Sequence, residues 1–502
     1  MTTPTYEQDL ATDAFRSEGN VVLQAGAGTG KTTTLTMLAA ATRRSGLYLA
    51  FNKSIARAAR RVFPAHVACR TTHSLAYAAV GRYFDDRIKE AVRIPSWRTG
   101  EKLGISRNMV VTIGERRVTN KAISSAALRT VNQFCYSADE EIGPHHVPRL
   151  RGLEQPFLHA QLVDLVLPYA RKAWQDLQHP REGVVRFSHD HYLKIWALTE
   201  PRIDVDFLLL DEAQDTNPAF EKVFTAQAGR SQLVMVGDSA QAIYGWRGAR
   251  DVMTDFDGIQ LRLSQSFRFG PALAEEANRW LAIVGAPIRL HGTPAIPTEL
   301  TTVERPDAIL CRSNVGAMTE VMNLLNENKR VALAGGGQEL VKLAEAARDL
   351  KAGRRTSHPE LILFPTWADL QEYAEYDIAG RDLMPLIDLV DEYGTDIILD
   401  ALSRLHDEHQ AEVVVSTTHR AKGREWPAVR VGDDFADTEP EDEQDDGGRR
   451  YSGTIGPAEA RVAYVAVTRA RHRLDLGGLA WINRRPAPAP DPINRHPRDG
   501  DL

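Results

Sequence analysis

Cysteine is scarce in this 502-residue chain, and the three present, Cys69, Cys135 and Cys311, lie far apart. That scatter offers no zinc or iron–sulfur spacing, and an odd, sparse set does not make a disulfide framework. Long apolar runs are missing as well. No stretch approaches the roughly 20 residues that span a bilayer, so no membrane partner is expected. The polar start Met1–Asp9 lacks the apolar centre of a signal peptide. No internal repeat is visible. Net basic charge is also lacking, since the formal balance is −6. An intracellular soluble enzyme is the expectation these absences are compatible with, and the length calls for several domains rather than one core.

The charge deficit is local. Asp433–Asp446 (DDFADTEPEDEQDD) holds nine acids and no base, and without it the balance is +3. Between Arg43 and Arg61 lie Arg43, Arg44, Lys53, Arg57, Arg60 and Arg61 with no acid. The sum therefore does not exclude a polyanion partner, because distribution matters more. The basic run also reads as a solvated helix face, and the acidic run as a solvated loop between strand and helix. A sharper reading of the acids is that they repel or mimic nucleic acid.

Two segments about 180 residues apart carry the chemistry. Val21–Gln24 reads as a buried strand, Ala25-Gly26-Ala27-Gly28-Thr29-Gly30-Lys31-Thr32 as a loop, and Thr32–Arg43 as a helix. Glycines in alternation let backbone N–H groups converge on phosphate oxygens at a helix N-terminus. Lys31 would reach the β- and γ-phosphates, and the Thr32 hydroxyl would bind magnesium. The general phosphate-loop pattern is broken at its first position, Ala25. The second segment is Asp211-Glu212-Ala213-Gln214-Asp215, after the apolar run Phe207–Leu210. Asp211 would hold the magnesium, and Glu212 would take a proton from the attacking water. Further strands are expected at Leu47–Phe51, Gln232–Val236, Asp307–Leu310, Val331–Ala334, Glu412–Thr417 and Ala428–Val431, which predicts α/β architecture with parallel sheets. After Gln232–Val236 comes a Gly-rich stretch in which Gln241 is placed to sense the γ-phosphate. There Trp246 beside Arg247 suits base stacking if exposed, and core packing if not.

The order of segments resembles the UvrD/Rep-like helicases of superfamily 1A over nearly the whole chain. Gln8 looks like the adenine-reading glutamine of that family, and the loop, through Thr33, has the family's form with alanine first. LAFNKSIA (Leu49–Ala56), with Phe51 and Asn52, and TTHSLA (Thr71–Ala76), with Thr72 and His73, are similar to its strand-contacting segments. So are the Gln241–Ala249 segment, with Tyr244, Trp246 and Arg247, and ILCRSN (Ile309–Asn314), with Arg312 and Asn314. In LSQSFRF (Leu263–Phe269), Phe267 matches an aromatic packed on adenine and Arg268 a γ-phosphate arginine. STTHRAKGREW (Ser416–Trp426) places Thr417 and His419 on the strand and Glu425 on the ribose. EARVAYVAVTRAR (Glu459–Arg471) supplies Arg469, the second γ-phosphate arginine.

The resemblance implies two RecA-like P-loop domains, each with a mainly helical insertion, with ATP and Mg2+ in the cleft between them. The first domain would comprise residues 1–84 and 196–256, with an insertion over 85–195. The second would comprise 257–340 and 411–482, with a small helical insertion over 341–410, and 483–502 would be a disordered tail. The implied activity is 3′ to 5′ movement on single-stranded DNA with unwinding of tailed duplex, in repair, recombination or replication. Phe364–Leu402 and the AFNKS start look most like the F-box DNA helicase type and its compact phage and bacterial relatives. No F-box is expected, because Gln8 already begins the helicase core, and no nuclease domain is expected after residue 480. The small insertion keeps an alternative open: a translocase that removes recombinase or single-strand-binding proteins with little unwinding. A nucleotide-gated binding module without turnover is disfavoured by the joint presence of Lys31, Glu212, Gln241, Arg268 and Arg469.

Overall fold

A computed structural model describes residues 3–484 except 90–95, 151, 244–251, 254–255, 357, 359–360, 362–363, 365, 377–382 and 436–454. Tyr244, Trp246 and Arg247, most of the acidic run, and the tail beyond Arg484 therefore lie outside the described residues.

Two six-stranded parallel sheets form the scaffold. The first runs in the order Val67–Thr71, Gly46–Ala50, Phe207–Leu210, Gln232–Gly237, Val21–Ala25, Ile259–Leu263. Its inner strands are near-continuous apolar runs because both faces are covered. Alternate residues point to opposite faces. Val21, Leu23, Tyr48, Leu209 and Val234 meet the helices Tyr6–Arg16 and Lys31–Ala40 on one side. Val22, Leu47, Leu49, Leu208 and Met235 meet Ile123, Phe134, Leu162 and Trp174 on the other. The inserted segment thus supplies one face of the first sheet's core instead of forming a separate body.

The second sheet runs Glu299–Leu300, Ala470–Asp475, Trp426–Val431, Ala308–Cys311, Val413–Thr417, Val331–Leu333. Ile309, Val331 and Val415 face the helices Gln338–Lys351, Met384–Tyr393 and Thr395–Ser403. Leu310, Val429 and Leu474 face Pro271–Val284 and Pro457–Val467. Ala27 and Ala240 of the first lobe join this last cluster, so the lobes share buried surface.

Three expectations need correction. The division at residue 257 does not follow the sheets. Ile259–Leu263 pairs with Val21–Ala25, in register from Val21↔Ile259 to Ala25↔Leu263, and closes the first sheet's edge. Its exposed Gln260 and polar Arg262 hid it from an apolar-run reading. Asn483 and Arg484 belong to the helical turn Gly477–Arg484, not to a tail. The acidic run begins as a helical turn and not as an open loop, although Asp433 and Asp434 are exposed. Asp433–Phe435 form a turn with Phe435 buried, and Asp434 accepts from Arg312 N, Ser313 N and Ser313 Oγ at 2.8–2.9 Å.

Candidate functional site

The phosphate loop follows strand Val21–Ala25 and opens into helix Lys31–Ala40. Gly28 (φ +75°) and Gly30 (φ +77°) occupy the left-handed region, which strains any residue with a side chain. Space is closed at Gly28 too, where a Cβ would sit 2.5 Å from Arg268 Cβ. First-turn amides of the helix have no intrahelical acceptor, so Lys31, Thr32 and Thr33 aim donors and the positive dipole end at the cleft. The loop is braced from outside. Ser266 Oγ donates to Ala27 O (2.9 Å), and Phe267 N to Gly28 O (2.8 Å).

The acids sit at the end of strand Phe207–Leu210. Asp211 Oδ2 accepts from Thr32 Oγ1 at 3.2 Å and from the Tyr48 hydroxyl at 2.6 Å. Burial, then the adjacent Glu212, pushes the Asp211 carboxyl above the usual carboxylate range. Glu212 accepts from Lys31 Nζ at 2.9 Å and from Gln214 Nε2 at 2.6 Å. Burial opposes its charge, but Lys31 and Lys422 outweigh burial and hold it well below the usual range. Glu212 has φ +53°, a conformation of the kind that is strained for a non-glycine residue and concentrates at functional sites.

The second lobe faces this set across a cleft of about 500 Å³, within the range of small-molecule sites. Lys422 Nζ reaches across to Asp215 Oδ1 and Oδ2 (2.8 and 2.6 Å) and to Gln241 O (2.7 Å). Burial still raises Asp215 to about 6. Arg268 Nε pairs with Glu425 Oε2 at 2.7 Å, and its Nη1 donates to Thr468 O. Arg469 is buried. It donates to Val465 O, Arg424 O, Thr468 Oγ1 and, at 3.4 Å, Gln241 Oε1. Among the described residues no carboxylate pairs with it, and burial followed by nearby Arg268 disfavours its charge. A buried cation without a paired carboxylate is a ready seat for an anion.

The cleft gathers Gly28, Thr29, Gly30, Lys31, Thr32, Thr33, Asp211, Glu212, Gln241, Phe267, Arg268, Glu425 and Arg469. Gln8, Ala25, Gly26 and Ala27 do not line it. Gln8 is buried with its amide engaged by Thr5 N (3.0 Å) and Thr34 Oγ1 (3.1 Å), although its Nε2 lies 3.5 Å from where a Gly30 Cβ would be. Phe51 and Asn52, expected on the strand path, also line the cleft. Phe51, Asp211, Glu212 and Asp215 also line a smaller neighbouring cavity together with Thr72 and His73.

The residues expected to touch a nucleic-acid strand occupy equivalent places in both sheets. Phe51 and Asn52 follow one strand and Thr72 and His73 its neighbour, with Ala50 paired to Thr71. Arg312 and Asn314 follow one strand of the second sheet, while Thr417 ends and His419 follows its neighbour, with Cys311 paired to Thr417. In both lobes these are the carboxyl ends of parallel strands, where α/β sheets bind ligands. Asn314 is exposed, Thr417 is buried, and Arg312 Nε is held by Glu459 at 2.6 Å. His419 is half-buried, and burial, then Arg312, lowers its pKa.

The family described as "AAA domain" matches residues 8–247, and the "UvrD-like helicase C-terminal domain" matches residues 338–477. F-box DNA helicase protein 1 of Schizosaccharomyces pombe is 30% identical over 94% of this chain and 57% of its own length. F-box DNA helicase 1 of Gallus gallus is 28% identical over 93% and 48%. The ATP-dependent DNA helicase UvrD2 of Mycobacterium tuberculosis is 26% identical over 93% and 77%. The chain belongs to the UvrD/Rep-like superfamily 1A. It spans about half the length of the F-box relatives. Its sheets are the paired RecA-like folds of that superfamily, with the nucleotide motifs on the first and the arginines on or beside the second.

The site of this UvrD-like chain suits Mg2+. The Thr32 hydroxyl and Asp211 carboxylate are oxygen donors 3.2 Å apart, and the buried acids carry a charge concentration that a divalent cation relieves. Sequence reasoning missed four participants. Asp215 and Lys422 stood inside quoted motifs, but nothing in the order of residues paired them. Tyr48 and Tyr464 sit in apolar runs and gave no signal. Tyr464 OH accepts from Ala27 N at 3.2 Å and donates to Asp238 Oδ2 at 2.9 Å, which joins the second lobe to the phosphate loop.

Proposed function

We propose that this chain is an ATP-dependent DNA helicase that moves 3′ to 5′ along single-stranded DNA and unwinds tailed duplex. The observation that carries the reading is the division of one site between two lobes. Lys31, Thr32, Asp211 and Glu212 stand on one side, and Lys422, Arg268 and the carboxylate-free Arg469 on the other. A triphosphate bound at the loop takes the Lys31 ammonium from Glu212. Glu212, still held by Gln214, is then free to accept a proton from an attacking water. Mg2+ held by Thr32 and Asp211 would neutralise phosphate charge. Arg469 and Arg268 draw the lobes onto the γ-phosphate, and its loss releases them. Adenine would stack on Phe267, which is half-exposed beside the loop, with Glu425 exchanging Arg268 for the ribose. Gln8 would have to exchange Thr34 or Thr5 to read the base.

The strand would cross both lobes along Phe51, Asn52, Thr72 and His73, then Arg312, Asn314, Thr417 and His419. Tyr244, Trp246 and Arg247 are proposed to stack and pair between them. With each lobe gripping separately, closure and opening become steps. The working division assigns residues 1–84 and 196–263 to the first lobe, 85–195 to its insertion, 264–340 and 411–484 to the second lobe, and 341–410 to the small insertion. Its place of action would be DNA inside a cell, bacterial or phage-infected.

Duplexes with 3′ or 5′ tails, in DNA and RNA versions, test the proposal with ATP and Mg2+. Separation of the 3′-tailed DNA substrate alone is expected. Failure on every substrate at any enzyme excess sinks the helicase reading. One observation favours a second reading. The helices of the small insertion lie against the second sheet's own core and do not form a further body beside it. Such a chain suits stripping recombinase or single-strand-binding protein from single strands, and displacement of labelled recombinase without unwinding would select it.

A further inference from the structure

Away from the cleft, the turn after helix Asn120–Tyr136 brings together Asp139, His145 and His146. His145 Nε2 lies 2.7 Å and His146 Nε2 2.9 Å from the same oxygen, Asp139 Oδ2. We propose that these three side chains form a binding site for one Zn2+-class cation, a clip on the inserted segment distinct from the nucleotide's magnesium. Two imidazoles and a carboxylate are a borderline donor set that suits Zn2+ and not the all-oxygen shell Mg2+ requires.

The turn is built before any ion arrives. Buried Lys194 donates to Ser137 O (2.8 Å) and Asp139 O (2.6 Å) and lies 4.1 Å from the Phe134 ring centroid. Ser137 Oγ accepts from Asp139 N at 3.2 Å and lies 3.0 Å from His146 Nε2. Pro144 opens the helical turn that sets both histidines. Such support from surrounding groups makes a site tight and not merely present.

Bonds of about 2.05 Å in tetrahedral geometry need ligand atoms about 3.3 Å apart. The required spread of roughly half an ångström is available, because the His145 side chain is 66% exposed and Asp139 44%. His146 is buried, with Gly143 O 3.3 Å from its Nδ1 as the outer partner that a bound imidazole uses. Gly143 N now donates to the same Nδ1 at 2.9 Å, so loading moves that neutral ring's single proton from Nε2 to Nδ1, facing Gly143 O, and takes the acceptor from the Gly143 N–H. With His145 and Asp139 exposed, water would complete the shell. Charged neighbours are Lys194, whose ammonium is occupied by carbonyls, and Glu140, which pairs with Lys222 at 2.7 Å.

The clip has a route to the strand path. Tyr136, which precedes the turn, donates to Asp190 Oδ2 (3.0 Å), and Asp190 Oδ1 holds His73 (3.2 Å). Metal at the turn would stiffen that wall.

The test uses the full chain without an affinity tag, stripped with chelator and kept in millimolar Mg2+ with a non-hydrolysable ATP analogue to occupy the cleft. Co2+ titration should give a one-to-one visible spectrum without thiolate character, since all three cysteines are buried. Zn2+ should displace it and raise the unfolding temperature above that in chelator. His145→Ala, at an exposed position, and Asp139→Asn should each weaken binding at least about tenfold, with an unchanged melting temperature in chelator. A stoichiometry well below one, a thiolate band, or equal binding by both variants overturns the proposal and leaves a trio that shares protons only.

Discussion

Lys31 and Glu212 hold each other at 2.9 Å, and on the proposed reading phosphate would separate them, which makes the pair the first place to measure. Lys31→Ala should leave a folded protein whose ATPase falls at least about 100-fold, as for loss of a principal charge-stabilising donor. Near-normal phosphate release by the folded variant would refute the loop assignment. Tyr464→Phe makes a finer test. It leaves Ala27 N–H and Asp238 Oδ2 without the hydroxyl they share. A buried polar group stripped of its partner costs about 1–3 kcal/mol, readable as a lower urea midpoint at unchanged slope. No loss of stability would show that the lobes do not rely on this contact.

Among elements, helix Pro457–Val467 links the two halves of the function. Glu459 in its first turn holds Arg312, Tyr464 near its end touches the phosphate loop, and Arg469 follows directly. On the proposed reading, strand binding that recruits Arg312 would release Glu459 at the far end of a rigid element. Glu459→Gln should therefore lower the ratio of DNA-stimulated to basal ATPase several-fold and leave the basal rate in place. An unchanged ratio removes the helix from the coupling route. The neighbouring helix Asn314–Asn326 depends on Asp434 from the acidic run, which receives three hydrogen bonds around its N-cap. Asp434→Ala should destabilise the protein by about 0.5–1.5 kcal/mol, whereas an acid without these partners would cost almost nothing in the same urea titration.

At the level of the whole molecule, Lys422–Asp215 latches the lobes. Asp215 titrates near 6 in the fold against about 3.9 unfolded. Its pKa is raised, so the folded state binds the extra proton between those values. From this group alone, stability rises as pH falls from 7 toward 4. The latch moves the other way, losing its charge below about 6. Fluorescent labels on the two lobes should report looser closure at pH 5.5 than at 7.5, with the change absent in Asp215→Asn. A pH-independent distance in the parent protein would deny the latch.

What the amino-acid order determined by itself is local chemistry. The glycines of the loop and the acids after Phe207–Leu210 were legible because a phosphate loop or a buried strand end leaves a short pattern in adjacent residues, whereas Arg268 and Arg469 were expected only through the family resemblance. Apolar runs likewise announced the inner strands, buried on both faces. The edge strand Ile259–Leu263 was not legible, because an edge carries polar residues that read as loop. Nor were the contacts that assemble the site, Tyr464 on Ala27 and Lys422 on Asp215 between the lobes and Tyr48 on Asp211 within the first. Each joins residues more than 150 positions apart. Only the tertiary structure decides them, because a hydroxyl or ammonium acquires its role from what burial brings beside it, and burial is a property of the packed chain.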